Sequence, residues 1–374
     1  ERYPQIQVVA SAKAAQMLGQ FYTYPPLLER IMVVKEGDTL SLGHHTLQFV
    51  MAPMVHWPEV MVTYDQTDKV LFSADAFGTF GILSGKIKNT ENKEAWPDEA
   101  RRYYYNICGK YGQPVQVLLG KVGALDVQCI CPLHGPVLTE NLGYYIGLYD
   151  KWSRYEPEEK GVLIAYASMY GNTEAAAQAL AAKLCEKGVT NVSVYDVSNT
   201  HVSYLISEAW KYSHIVLASV TYNLGIYPVM HNFMTDMKAL NLQNRTFAII
   251  ENGSWACKSG DLMQKFVNDA PENGELKLTK IATLGIRRKE LVIMPTLRIP
   301  ETANAVVADA ASTKDLNDAL IAAAESTSTP GATEEPKEVI ITVNSNTNLG
   351  EDEEASATVE VSAAIEIPQS ITTT

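Results

Sequence analysis

Three side chains in the first part of the chain are of metal-binding type, and all three share one kind of local setting. His56 lies in Ala-Pro-Met-Val-His-Trp-Pro, Asp75 in Phe-Ser-Ala-Asp-Ala-Phe-Gly and His134 in Cys-Pro-Leu-His-Gly-Pro. Each follows a strand-like run and stands close to Pro or Gly, where a turn can aim it into a shared cleft. Two neutral imidazoles and a carboxylate suit iron, zinc or manganese, and a carboxylate can bridge two ions. Taken singly, each His is more often a hydrogen-bonded core or surface residue; His44, His45, His201, His214 and His231 are read that way.

A second constellation lies further on. Val162 to Tyr166 is apolar and strand-forming, as a strand covered on both faces must be. Ser168, Met169, Tyr170, Gly171, Asn172 and Thr173 then form a turn of small polar groups leading into an Ala/Leu-rich helix. Its N–H and O–H groups and the helix N-terminus can bind a phosphate dianion without Lys or Arg. The order G-x-x-x-x-G-K-[ST] of a nucleotide triphosphate loop is missing, as is the G-x-G-x-x-G of a dinucleotide fold, so a monophosphate fits best. The plain alternative is a strand–turn–helix with a polar cap. Two later loops place an aromatic ring beside Gly and small polar groups: Thr221, Tyr222, Asn223 and Gly225, then Asn252, Gly253, Ser254 and Trp255. A planar heteroaromatic needs flat surfaces to stack on and amides at its edge. Together the three loops suggest an isoalloxazine ring with a phosphate tail.

Elements must hold these loops at one edge. From Gly161 onward, apolar strands at Val192–Tyr195, His214–Ala218 and Thr246–Glu251 alternate with helices, the spacing of βαβ units and a doubly wound parallel sheet. A helix from Asn172 stops at Gly188, another opens at Pro228, a last strand is expected at Leu291–Met294, and a final helix is signalled by Ser312 and Asp315. In such sheets ligands bind beyond the carboxyl ends of the strands. The first part shows a short strand at Ile6–Ala10, a helix at Ala12–Leu18 capped by Ser11, and strands at Ile31–Val34, Thr46–Met51, Val60–Tyr64 and Val70–Ser73. Helical segments follow around Asp98–Tyr111 and Val115–Leu125. This is part of an α/β sandwich.

Composition sets outer bounds. The chain has 374 residues, 46% hydrophobic and 20% charged, long enough for two domains. A net charge of -13 argues against nucleic acid as a partner. No apolar run has the length of a membrane span. Residues 326–374 hold nine Asp or Glu, one Lys and no aromatic residue, and read as a flexible acidic low-complexity tail, with a small β appendage as the alternative. Five irregularly spaced cysteines suit reduced thiols, and Cys129-x-Cys131 reads as a pair of buried strand thiols, too sparse for zinc or an iron–sulfur cluster.

Four motifs in order carry a resemblance. His56-Trp-Pro, Ser73-Ala-Asp-Ala-Phe-Gly-Thr-Phe-Gly81, Cys131-Pro-Leu-His-Gly-Pro136 and Tyr166-Ala-Ser-Met-Tyr-Gly-Asn-Thr-Glu174 together resemble the flavodiiron proteins, from Glu1 to about Glu275. The resemblance implies an α/β chain with four parts: a partial metallo-β-lactamase-like αββα sandwich (1–154), a linker (155–160), a flavodoxin-like FMN domain (161–325) and the tail (326–374). It implies that His56 and His134 bind iron, that Asp75 bridges two irons, and that FMN passes electrons to the diiron site. The implied reaction is reduction of O2 to water or of NO to N2O. Rubredoxin or a similar carrier would be the donor to a cytoplasmic head-to-tail homodimer or tetramer. The family's His-x-Glu-x-Asp motif is not in this sequence, and Glu1-Arg-Tyr-Pro resembles the segment just after it, so an N-terminally truncated chain is expected. Two other readings stand beside this one: a zinc hydrolase fused to a flavodoxin module, and a flavodoxin-like FMN electron carrier whose first part is a non-catalytic remnant.

Overall fold

The computed structural model describes residues 3, 5–22, 25–81, 87–89, 96–269, 276–285, 304–309, 339–349 and 353–363, the last four ranges as backbone only. The chain divides into two compact units. One comprises Glu1–Glu158 with Ile206–Lys211 and Asp236–Leu242; the other comprises Glu159–Leu205, Tyr212–Thr235 and Gln243–Thr374.

The first unit contains β1 (Val8–Ser11), α1 (Ala12–Phe21), a one-turn α2 (Pro25–Leu28), β2 (Ile31–Val34), β3 (Thr39–Ser41), β4 (Thr46–Met51), β5 (Met61–Asp65) and β6 (Val70–Phe72). It continues with α3 (Trp96–Ile107), α4 (Gly112–Val122), β7 (Cys129–Cys131) and α5 (Leu142–Ser153). Ser11 caps α1 as expected, its hydroxyl accepting the Ala14 N–H at 3.1 Å. β1 and β2 form a parallel pair, and a second sheet runs β3-β4-β5-β6-β7. In it, β4 and β6 both lie antiparallel to β5, and β7 is parallel to β6. The chain therefore leaves β4, β6 and β7 at the same edge of the sheet. That edge is where the loops carrying His56, Asp75 and His134 begin.

The core of this unit is aromatic. Tyr104, Tyr105, Tyr149 and Trp152 are buried, with the Tyr104 and Trp152 rings 5.3 Å apart and the Tyr104 and Tyr149 rings 4.9 Å apart. Aromatic side chains bury large areas with few rotatable bonds, which gives a short helix such as α3 a firm seat.

From Glu159 onward the chain forms β8 (Glu159–Ala167), α6 (Asn172–Glu186), β9 (Val192–Asp196), α7 (Val202–Lys211), β10 (Tyr212–Tyr222), β11 (Gly225–Ile226), α8 (Pro228–Ala239), β12 (Arg245–Gly253), α9 (Ser259–Asn268) and β13 (Leu276–Gly285). Beyond these come β14 (Asn304–Asp309), β15 (Val339–Leu349) and β16 (Glu353–Ala363). The main sheet has the order β13-β12-β10-β8-β9 with every neighbouring pair parallel. Numbered by appearance that is 2-1-3-4-5, the doubly wound order whose direction of winding reverses beside its first strand. Val162, Ile164, Tyr166, Val216, Ala218 and Ile250 from the strands pack with Ala176, Ala177 and Leu184 of α6.

Several expectations need adjusting. The fifth strand of the main sheet is β13, whereas Leu291–Met294 and the helix from Ser312 lie outside the described residues. In the segment read as a flexible acidic tail, β15 and β16 pair antiparallel, Val343 opposite Val359, because apolar residues alternate with polar ones there. Cys129 and Cys131 are only half-buried; the buried residue of that strand is Ile130 between them.

Candidate functional site

The loop after β6 is bent at two non-glycine residues in the left-handed region, Ala74 (φ 52) and Phe77 (φ 65), one on each side of the Asp75–Ala76 pair. Such conformations persist only where surrounding bonds hold them. Here the Ser73 hydroxyl donates to the Ala76 carbonyl at 2.6 Å, the Phe77 N–H donates to the Tyr149 hydroxyl at 2.7 Å, and the Phe77 and Tyr149 ring centres are 4.4 Å apart. The loop carrying His134 is tied to this one: the Leu133 N–H donates to the Ala74 carbonyl at 2.8 Å and the Thr79 N–H to the His134 carbonyl at 3.3 Å. The loop carrying His56 closes on itself, the Met54 N–H donating to the Trp57 carbonyl at 2.7 Å.

These turns bring the three expected residues together. Asp75 Oδ2 lies 3.5 Å from His56 Nε2, and Asp75 Oδ1 lies 3.3 Å from His134 Nε2. One carboxylate thus offers a separate oxygen to each of two imidazoles, which is the disposition of a bridging ligand and not of three donors converging on one point. Two imidazoles and a carboxylate are a donor set that would suit iron, zinc or manganese.

Two neighbours of this site were not foreseen. Tyr103 on α3 is buried, hydrogen-bonds the Asp75 carboxylate and sets its ring 5.6 Å from that of His134. Burial, then the negative charge of Asp75, pushes its hydroxyl far above the ordinary tyrosine range, so it stays a donor. Gly78 makes room for that ring, since a Cβ there would stand 2.7 Å from Tyr103 Cε1 and 3.0 Å from the Asp75 carbonyl. The other neighbour is Glu59, which lines a cleft of about 330 Å3 together with Val9, Ser11, Trp57, Asp75 and Leu133. Its Oε2 is buried without a hydrogen-bond partner among the described residues.

His45, read as a hydrogen-bonded residue, is one. Among the described residues, His45, Asp65 and Asp68 are the group of three whose ligand atoms all lie within 4.8 Å of one another. The Asp65 carboxylate meets His45 Nδ1 at 2.7 Å and accepts the Thr67 N–H at 2.9 Å, which closes the turn between β5 and β6. Burial pushes Asp65 up, but the Thr67 N–H and His45 outweigh it and hold the carboxyl below its ordinary value.

In the second unit the three expected loops emerge at the carboxyl ends of β8, β10 and β12. Gly171, at φ 83, turns the chain into α6, and the Ser168 hydroxyl accepts its N–H at 3.1 Å. No side chain caps α6, which leaves the amides of its first turn and the positive end of its dipole for a ligand. Asn223 (φ 48) and Leu224 (φ 58) are the two central residues of a tight hairpin in which Tyr222 pairs with Gly225. Gly253 is required by the turn beyond β12, because a Cβ there would meet the Ala256 carbonyl oxygen at 2.1 Å.

Cross-links lock the loops together. The Asn252 side-chain amide donates to Thr173 Oγ1 at 3.0 Å, and both residues are buried. Thr221 Oγ1 accepts the Lys258 N–H at 3.0 Å and the Ser259 N–H at 3.2 Å at the start of α9. Thr173, Thr221, Asn252 and Gly253 are therefore part of the frame of this edge. Tyr170, Tyr222 and Trp255 are the rings it presents to solvent, exposed by 84%, 40% and 92%. The buried Asn252 Oδ1 has no partner among the described residues. An uncapped helix end, an unpartnered amide oxygen and exposed flat rings at one edge fit a flavin with a phosphate tail. Glu251, which accepts the Gly260 N–H at 2.9 Å and fastens α9, was not foreseen, because an acid at the end of an apolar strand reads as a solvated residue.

Comparisons with known proteins give two matches in succession along the chain. A family model described as ODP family beta lactamase matches residues 1–135, and the flavodoxin model matches residues 164–282. The chain is 30% identical over 241 residues, 63% of its length and 60% of the other, to a rubredoxin-oxygen oxidoreductase of Megalodesulfovibrio gigas. It is 29% identical over 247 residues, 66% of its length and 61% of the other, to a nitric oxide reductase of Moorella thermoacetica. The chain spans about 60% of the length of these curated relatives. Among solved structures, rubredoxin oxygen:oxidoreductase from Desulfovibrio gigas superposes with a TM-score of 0.67 at 26% identity, covering 75% of this chain and 69% of that one. A flavodiiron protein from Giardia intestinalis shares the fold, with a TM-score of 0.66 at 22% identity over 72% of this chain and 67% of that one.

Proposed function

We propose that this chain is a flavodiiron protein, a reading supported by its β-lactamase-like and flavodoxin matches in order, and that it takes part in reducing O2 to water or NO to N2O. The observation that carries the reading is the Asp75 carboxylate, with one oxygen toward His56 and the other toward His134. An electron carrier alone would have no use for that arrangement. When bound, FMN supplies electrons and a pair of iron ions supplies the place where the gas is reduced, chemistry that belongs to the cofactors.

The side chains have more limited tasks. His56, Asp75 and His134 hold the metal, and the Tyr103 hydroxyl fixes the plane of the Asp75 carboxylate by donating to it. Hydrogen-bonding partners of this kind orient a ligand and tune its basicity. On the flavin side, the Ser168–Thr173 loop and the first turn of α6 hold the phosphate. Tyr222 and Trp255 offer flat faces to the ring, and Asn223, Gly225, Gly253 and Ser254 shape its edge. Met169 and Tyr170 belong to the same loop and are exposed. Rubredoxin or a similar small protein is the donor, and the protein acts in the cytoplasm as a head-to-tail homodimer or tetramer. No described helix is long and apolar enough to cross a membrane.

The test is to express the full chain, load it anaerobically with FMN and ferrous iron, and measure flavin, iron and the consumption of O2 or NO with reduced rubredoxin. Asp75→Ala should abolish iron retention while flavin binding persists. Retention of zinc in place of iron, with no flavin bound, would refute the reading.

A further inference from the structure

The strand β7 fixes two thiols in a geometry that the metal site described above does not use. Ile130 is fully buried, and its strand is held along both edges. On one side β7 pairs with β6, Cys131 opposite Phe72; on the other, Ile130 and Leu138 exchange N–H···O bonds of 2.9 and 2.8 Å. Side chains alternate along a strand, so Cys129 and Cys131 share the face opposite Ile130, where both are half-buried. Their sulfurs lie 3.9 Å apart. The backbone that carries the two thiols is tied on both edges.

A disulfide suits the spacing badly. Residues i and i+2 of a strand have Cα atoms about 6.6–6.8 Å apart. That is the outer limit of the roughly 4.4–6.8 Å over which disulfides form. Chelation suits it well, since two sulfur–metal bonds of about 2.3 Å meeting at a tetrahedral angle span about 3.8 Å. We propose that Cys129 and Cys131 are a chelating dithiol for a soft, thiophilic d10 cation, with solvent or a small thiol completing its coordination. This site is distinct from that of His56, Asp75 and His134, whose nitrogen and oxygen donors suit harder metals. The Cys131 thiol is pushed up to about 11 by burial and by Cys129 beside it, so at neutral pH that thiol is protonated. Binding displaces the Cys131 proton to solvent, which a cation with strong affinity for sulfur can do and a hard one cannot.

Cadmium is a suitable probe, because its thiolate complexes absorb in the ultraviolet. The full chain, kept reduced and free of oxygen, should bind one Cd2+ with a sulfur-to-cadmium charge-transfer band. Cys129→Ser and Cys131→Ser should each weaken this binding by about a hundredfold, the loss of a chelate partner, while substitution of the exposed Cys185 leaves it unchanged. A second measurement needs no variant: bound Cd2+ should protect Cys129 and Cys131 from alkylation, mapped by mass spectrometry. Unaltered Cd2+ affinity in both serine variants would overturn the proposal. So would rapid, complete conversion of the pair to a disulfide by diamide in the folded protein.

Discussion

At the scale of single residues, the metal site rests on Asp75 and on what orients it. Tyr103→Phe removes the hydroxyl that donates to the carboxylate and leaves the ring beside His134, so iron affinity should fall about 10- to 100-fold with little change in fold. Iron retained after dialysis against a graded chelator measures this; an unchanged curve would mean that Asp75 is positioned by its loop alone. His56, Asp75 and His134 were legible in the sequence because each follows a strand and stands beside Pro or Gly, where turns must form. Tyr103 was not legible: in the run Tyr103-Tyr104-Tyr105 only the packing of α3 decides which ring faces the carboxylate and which enter the aromatic core. Glu59 was not legible either, since only the folded loop shows it lining the same cleft as Asp75. His45 was indistinguishable from a surface histidine, since Asp65 reaches it through pairing of β4 with β5.

At the scale of elements, the strand–turn–helix from β8 to α6 and the turn after β12 make the flavin edge. Gly253→Ala forces a methyl group against the Ala256 carbonyl, at a cost of about 1–3 kcal/mol, because backbone and not a flexible side chain must give way. The midpoint of thermal unfolding should drop and flavin should bind more weakly; unchanged flavin titrations would show that this turn does not shape the site. A pH effect belongs to β10. Burial holds His214 below the ordinary histidine range, partly opposed by a hydrogen bond involving the Gly161 backbone. The unfolded chain therefore takes up a proton more readily than the folded one. The associated stability is complete above about pH 6.5 and declines as pH falls below it. Denaturant unfolding at a series of pH values should show that decline, and His214→Gln should flatten it. The parallel strands were legible as continuous apolar runs and α6 as an Ala-rich segment ending at Gly188. β13 was not, because Leu276-Lys-Leu-Thr-Lys alternates polar and apolar residues like a solvent-facing strand, and only its pairing with β12 places it in the sheet. The start of α9 was hidden for a similar reason, its first amides being met by Thr221 and Glu251 from distant strands.

At the scale of the whole chain, the order of four short motifs was readable, and it indicated two domains and their sequence along the chain. The order of strands within each sheet was not, since it depends on crossovers that leave no local mark. That order explains the sites: in each unit, parallel strands release their loops at one common edge. If the second unit holds FMN there, free FMN at about a hundred times its Kd should raise that unit's stability by about 2.7 kcal/mol. Calorimetry with and without FMN tests this, and the absence of any shift would argue against a flavin at that edge. The close fit of Gly78 beneath the Tyr103 ring has a consequence for engineering and for divergence. The segment bearing Asp75 is cut to match one helix, so it is not a portable cassette. Transplanted into another scaffold without α3, it would lose both the ring that its glycine accommodates and the hydroxyl that steadies its carboxylate. Positions 78 and 103 are thus expected to change together among related chains or not at all.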